Sequence, residues 1–357
     1  MGQQETIQFS LSSKLLWSVT SDDSEWLEKN ITEFRSSKAS TSVVAAINIE
    51  VKQVNGIDSS KTVVTVSEGI SCSPESIYIK DKFSNKKIHF QISEQQYVFE
   101  VERGFTFHYY AAILDAIIKI IAFKKDILAI HASAIRLDNQ VSVFAAWRRI
   151  GKTTIVLNLL KENKDIEILA DDAVMLTMER EIIPYLRGID LFPYLPIPQN
   201  YLGLGERIQR KLGKFLETFP ILPKSIKQKV LKRFLLPRLN LAVHGHGIMQ
   251  GKSSVDFFYI LKKQIGASAL DKISFEDFCE FVGRSSYFEI MEYQAIFEMA
   301  CSIYPNSGFS ELLVTYEAFQ NKVNSLFVNS KILELRLSDD YSDLYGLQEL
   351  LSLEQGI

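Results

Sequence analysis

Lys152, Thr153, Asp171, Asp172 and His131 are the side chains whose types and spacing could do chemistry. The first two close a loop reading Ala146-Trp147-Arg148-Arg149-Ile150-Gly151-Lys152-Thr153-Thr154, which follows the apolar run VSVFAA and opens the helical pattern TIVLNLLKEN. A strand, a loop ending in Gly-Lys-Thr and a helix together form a phosphate cradle. Backbone N–H groups and the positive helix end face the anion, and a lysine reaches over it. In such a cradle Ala146, Arg148, Arg149, Ile150, Gly151, Lys152, Thr153 and Thr154 line the nucleotide. Lys152 would neutralise the terminal phosphates, the Thr153 hydroxyl would coordinate Mg²⁺, and Thr154 would cap the helix or touch a phosphate. The ordinary alternative is a helix N-terminus carrying a surface lysine.

Nineteen residues beyond Lys152 the run IEILA ends in Asp171-Asp172. Two carboxylates beside a phosphate loop supply what phosphoryl transfer requires: one to hold Mg²⁺, the other to take a proton from an attacking hydroxyl. By themselves they would read as a turn after a strand. His131 lies between Ile130 and Ala132 in the run ILAIHASAIRL. A strand histidine is commonly a core residue with a satisfied hydrogen bond, but one hairpin before the loop it can also stand near a transferred phosphate.

The elements that must position these groups follow from periodicity. Residues 1–102 read as β-rich, through SVVAAINIEV, KTVVTVS, SIYIK, KKIHFQI and QYVFEVE, preceded by the helical stretch SEWLEKNITEF. This part has no cluster of catalytic residue types and reads as an accessory or recognition domain. Residues 109–125 form an apolar helix, too short and, with Asp115 and Lys119, too charged to span a bilayer. Two strands follow, joined at Asp138-Asn139, then the loop helix and the Asp-Asp strand. AVMLTM and the segment around EIIPYL continue as strands, and VDFFYILKK reads as a core strand. SFEDFCEFVG, YFEIMEYQAIFEMACSIY and SELLVTYEAFQNKV read as helices, with ILELRL as a last strand and YGLQELLSL as a last helix.

Charge is distributed unevenly. From Arg207 to Arg238 the chain carries +9 against a total of −3, so the remainder carries −12. The basic stretch has helical apolar spacing. It could meet an acidic peptide or protein, an anionic membrane surface or RNA, or be a solvated basic face packed on the chain's own acidic surface. Few aromatics interrupt it, which argues against base stacking, and the small net charge argues against nucleic-acid binding by the whole molecule. Cys72, Cys279 and Cys301 form no CxxC pair. They fit a reducing cytoplasm, with Cys279 and Cys301 on apolar helix faces. The start of the chain has no signal-peptide pattern. His244-Gly-His246, without a third ligand nearby, reads as a turn rather than a metal site.

Taken together, HASAIRLDNQVSVFAAWRRIGKTT…ILADDAVML resembles the HPr kinase/phosphorylase and phosphoenolpyruvate carboxykinase superfamily over residues 128–177. The order of histidine strand, hairpin, phosphate loop and Asp-Asp strand carries the resemblance. It implies an α/β fold: a P-loop kinase core over 103–285, with a basic helical insertion near 202–238, a β-rich domain over 1–102 and a mostly helical region over 286–357. It further implies ATP and Mg²⁺ as cofactors. Thr153 and Asp172 are then metal-ligand candidates, Asp171 and Asp172 share metal binding and base duty, and His131 stands near the transferred phosphoryl group. The acceptor would be a serine-type hydroxyl of a peptide or small protein, as in kinases that tailor ribosomally made peptides, and homo-oligomers occur in such a family.

The sequence departs from that pattern. Ala146 replaces the first glycine of the loop and Arg149 a middle one, and Tyr185 stands where a carboxylate would precede Arg187-Gly188. Arg148 and Arg149 could replace lost amide contacts with charge, and Trp147 could cover the site. The alternative implied by these departures is a catalytically inactive nucleotide-binding sensor or scaffold.

Overall fold

A computed structural model describes residues 4–338 apart from 12–14, 35–46, 59–63, 82–83, 94–95, 138, 149, 164, 184, 188, 191–194, 196, 198–200, 219–237, 240, 245, 247–253 and 267. The final expected helix, Asp138, Arg149, Gly188 and most of the basic stretch lie outside the described residues. The chain is of mixed α and β class.

It opens with β1 (Glu5–Leu11), β2 (Leu15–Ser21), α1 (Ser24–Phe34) and β3 (Ile47–Val54). There follow β4 (Val64–Ser67), β5 (Ile70–Cys72), β6 (Ser76–Lys80), β7 (Lys87–Ser93), β8 (Gln96–Glu102) and α2 (Phe107–Lys124). The middle of the chain holds β9 (Ile127–Ile130), β10 (Ala132–Leu137), β11 (Gln140–Ala145), α3 (Lys152–Glu162), β12 (Glu167–Ala170), β13 (Val174–Thr177) and β14 (Ile182–Ile183). Then come β15 (Ile189–Asp190), α4 (Leu204–Thr218), β16 (Arg238–Leu239), β17 (Phe257–Gln264), β18 (Ala269–Lys272), the helices Phe275–Ile303 and Tyr316–Phe327, and β19 (Lys331–Ser338).

These elements divide into two compact units that are not consecutive stretches of chain. One comprises Met1–Ile130, Met175–Ile183 and Cys279–Val328; the other comprises His131–Val174, Pro184–Phe278 and Asn329–Ile357.

The first unit contains an eight-stranded sheet in the order β1-β2-β3-β8-β7-β6-β5-β4. Ile7, Phe9 and Leu11 alternate inward along β1, and Trp17 and Val19 do so along β2. Phe9 stacks on Trp17, and Phe34 at the end of α1 meets both edge-on at 5.9 and 5.8 Å. Both fall in the stretch 1–102 that reads as β-rich, and Gln8 and Ser10 between Ile7, Phe9 and Leu11 give the alternation of a half-buried strand. The apolar helix anticipated at 109–125 is α2, buried along most of its length. Its two buried charges pair with each other at 2.9 Å, Lys119 to Asp115 one turn apart. The helix Phe275–Ile303 is continuous where two helices were expected. Gly283 sits within it because a Cβ there would stand 1.9 Å from Gln320 Oε1. Cys279 on this helix is buried, Cys301 partly so.

The second unit is built on a six-stranded sheet, β12-β10-β11-β17-β19-β18. β10 runs antiparallel to both β11 and β12, whereas β11, β17 and β19 run parallel to one another. β10 is buried along almost its whole length, as an inner strand must be. Phe144 stacks on Tyr259 at 5.1 Å across β11 and β17. Ile155, Val156, Leu159 and Leu160 of α3 complete this core with Ile168 of β12. The run ILAIHASAIRL does not form one strand. It breaks at His131, so that β9 joins the three-stranded sheet β14-β13-β9 while β10 belongs to the second unit.

Candidate functional site

Strand directions bring the expected residues to one end of the second sheet. Because β10 is antiparallel to both neighbours, its beginning lies beside the ends of β11 and β12. The register pairs Ala132 with Ala145 and Ala134 with Ala170. His131 therefore precedes β10 where Ala146 leaves β11 and Asp171 leaves β12. The Ala146 amide donates to the His131 carbonyl at 3.3 Å, which ties the loop to the histidine.

The loop turns into α3 at Gly151, whose φ of 113° lies in the left-handed region that a side chain would strain. The Ile155 amide donates to the Gly151 carbonyl at 2.9 Å as the helix's first turn closes. The amides of Lys152 and Thr153 lie in that first turn, where N–H groups have no acceptor within the helix. Ala146, in place of a first glycine, is fully buried and has no positive φ; its methyl belongs to the core under α3. Alanine is thus accommodated without strain. Trp147 and Arg148 are exposed and Ile150 is half-buried.

Lys152 is only 6% exposed. Its Nζ lies 2.6 Å from His131 Nε2 and 3.5 Å from the Ala146 carbonyl oxygen. An ammonium has only protons to give, so Nε2 accepts and the ring proton sits on Nδ1. That Nδ1 is 3.7 Å from Asp172 Oδ1.

The two aspartates have different surroundings. Asp171 is buried: Thr153 Oγ1 donates to its Oδ2 at 2.9 Å and Ser133 Oγ donates to its Oδ1. Burial pushes its carboxyl above the ordinary range and nearby Asp172 adds to this, while the Ser133 and Thr153 hydroxyls and Lys152 act the other way. Asp172 has φ 67°, a left-handed conformation that aspartate tolerates, and its side chain is 60% exposed. The strand therefore ends with one carboxylate facing inward and the next facing solvent. Thr153 makes its contact with Asp171, not with Asp172, the carboxylate grouped with it as a metal ligand from the sequence.

Ser133 was not singled out from the sequence. Its signal was the HASA pattern: His131 and Ser133 are two apart, which on a strand places them on one face. The Tyr185 side chain is fully buried and Arg187 half-buried. The two histidines at 244 and 246 do not act together. His246 is buried, accepts at Nδ1 from the Ile168 amide at 3.2 Å and lies 3.0 Å from the Tyr201 hydroxyl through Nε2, while His244 is exposed. Burial, with His244 nearby, lowers the His246 pKa to about 4, so it is a neutral strut under β12.

Among the described residues no three His, Cys, Asp or Glu side chains gather as a metal cluster. Two carboxylates and the Thr153 hydroxyl are oxygen donors. They suit a hard ion that keeps most of its waters and takes further ligands from phosphate. A protein-only cage for a transition metal would need more ligands than these. Comparison with models of protein families and with curated proteins finds no match for this chain.

Proposed function

We propose that the second unit is an ATP-dependent kinase that passes the terminal phosphoryl group to a serine-type hydroxyl of a peptide or small protein. The observation that carries this reading is the contact of Thr153 with Asp171 at the N-terminus of a helix whose first residue is Lys152. The resemblance of residues 128–177 to HPr kinases supports it. A triphosphate would lie along the first turn of α3, its oxygens accepting from the amides there. Lys152 would leave His131 for the terminal phosphates, exchanging a neutral acceptor for an anionic one. Bound Mg²⁺ would neutralise phosphate charge, held on the protein side by Thr153 and, directly or through water, by Asp171.

This leaves Asp172 to accept the proton of the attacking hydroxyl. It is exposed enough to meet an acceptor, and both oxygens of Asp171 already accept hydrogen bonds from Ser133 and Thr153. His131, beside Asp172, would orient that carboxylate through its Nδ1 proton. The test is incubation with γ-labelled ATP, Mg²⁺ and a set of serine-containing peptides. Label on peptide with the wild type, and its loss in both Lys152→Ala and Asp172→Asn, is expected. Equal labelling by the Lys152 variant rules the mechanism out.

One observation favours a second reading, a nucleotide sensor or scaffold without turnover. Lys152 is buried against His131 and the Ala146 carbonyl, so binding must first break that arrangement. ATP binding by calorimetry with no label transferred to peptide or water would select this reading.

A further inference from the structure

α4 presents an apolar ridge to solvent. Ile208, Leu212 and Phe215 are 50%, 48% and 64% exposed. Their spacing of four and three residues places them within roughly 60° of one another around the helix. Nothing lies within 4 Å of where a Cβ on neighbouring Gly205 would stand, so the open side continues toward the start of the helix. The opposite side is tied down: Arg210 donates to the Leu195 carbonyl at 2.6 Å, and Gly213 is buried. Exposed Lys211 and Lys214 follow one flank of the ridge, while the positions of Glu206 and Glu217 fall on the far side of the helix.

Single exposed apolar residues are ordinary on a protein surface. Three large ones in line on a helix bordered by lysines are an amphipathic pattern. We propose that α4 docks on an anionic lipid surface, its apolar ridge entering the headgroup boundary and its lysines meeting lipid phosphates. The shape decides between partners. A ridge standing out from one helix enters a deformable interface, whereas capture of an acidic peptide would call for a groove with apolar walls. The charge is complementary to anionic lipid, and apolar insertion plus cation attraction is the combination that holds an interfacial helix. The proposal is independent of the nucleotide site.

Co-sedimentation of the full chain with vesicles tests it, using phosphatidylcholine alone and phosphatidylcholine with phosphatidylglycerol. Binding to the anionic vesicles, at least about ten-fold above the neutral ones and weakened by added salt, is expected. Leu212→Glu with Phe215→Glu should abolish it, and Lys211→Glu with Lys214→Glu should reduce it to the neutral level. All four positions are exposed, so circular dichroism and the thermal midpoint should match wild type in both variants. Failure of the wild type to bind anionic vesicles overturns the proposal, as does undiminished binding by either variant. Light scattering gives a third route to rejection: a wild-type oligomer dispersed by the Leu212/Phe215 variant would assign the ridge to protein association.

Discussion

Acid should weaken the second unit through His246, and the size of the effect follows from the geometry. The neutral imidazole accepts from the Ile168 amide and pairs with Tyr201, and its pKa falls from 6.5 to about 4. In the unfolded chain the same ring takes up a proton below about 6.5. Between these values the unfolded state binds a proton that the folded state refuses, so lowering the pH favours unfolding. The contribution is fully present above pH 6.5 and is lost as the pH falls toward 4. The shift corresponds to about 3 kcal/mol in all, of which about 2 kcal/mol is gone by pH 5. Urea unfolding at several pH values, for wild type and His246→Gln, isolates the term. Glutamine can still accept from the Ile168 amide but does not titrate. Wild type should lose about 2 kcal/mol more than the variant between pH 7 and 5. Because Ile168 lies three residues before Asp171, ATP binding should decline over the same range. Parallel pH profiles for the two proteins would refute the assignment of His246 as a buried neutral strut.

Three further substitutions probe particular contacts. Ser133→Ala removes a donor to the buried Asp171 carboxylate; a loss of about 2 kcal/mol in urea unfolding at pH 7 is expected, and no change would mean that the contact does not hold Asp171. Gly283→Ala should destabilise by about 1 kcal/mol, since the new methyl displaces Gln320, whose amide donates to the Cys279 carbonyl. In a Gln320→Ala background the same change should stabilise by up to about 1 kcal/mol, and stabilisation in both backgrounds would contradict the clash. Lys119→Met leaves Asp115 buried without its cation, and a loss of about 3 to 5 kcal/mol should follow in unfolding experiments; a neutral result would show the pair to be dispensable.

Local pattern revealed much of the fold. The apolar runs that became α2, β11 and β17 and the alternation along β8 are visible in the sequence because each buries a continuous or strictly periodic set of side chains. β1 and β2 carry the same alternation as β8, with Gln8 and Ser10 between Ile7, Phe9 and Leu11 and Ser18 between Trp17 and Val19. The break at His131 was hidden: a run that is apolar throughout does not show where a chain leaves one sheet for another. Nor does sequence show that β17 lies between β11 and β19, because parallel pairing joins distant segments. At the candidate site the motif located Lys152, Thr153 and Asp171, and the antiparallel β10–β11 and β10–β12 pairs explain their meeting. The partners of each group were not legible. That Thr153 meets Asp171 rather than Asp172 depends on which carboxylate turns inward where β12 ends, and Ser133 becomes relevant only once β12 lies beside β10.

Calorimetric titration of ATP with Mg²⁺ into wild type and Lys152→Ala tests the central claim most directly. An ammonium meeting a phosphate at the first turn of α3 should contribute about 1.5 to 3 kcal/mol, so affinity should fall roughly ten- to a hundred-fold in the variant, with circular dichroism unchanged. Absence of any heat of binding to wild type at millimolar ATP, or equal affinity for the variant, would contradict a nucleotide site at the junction of β11 and α3.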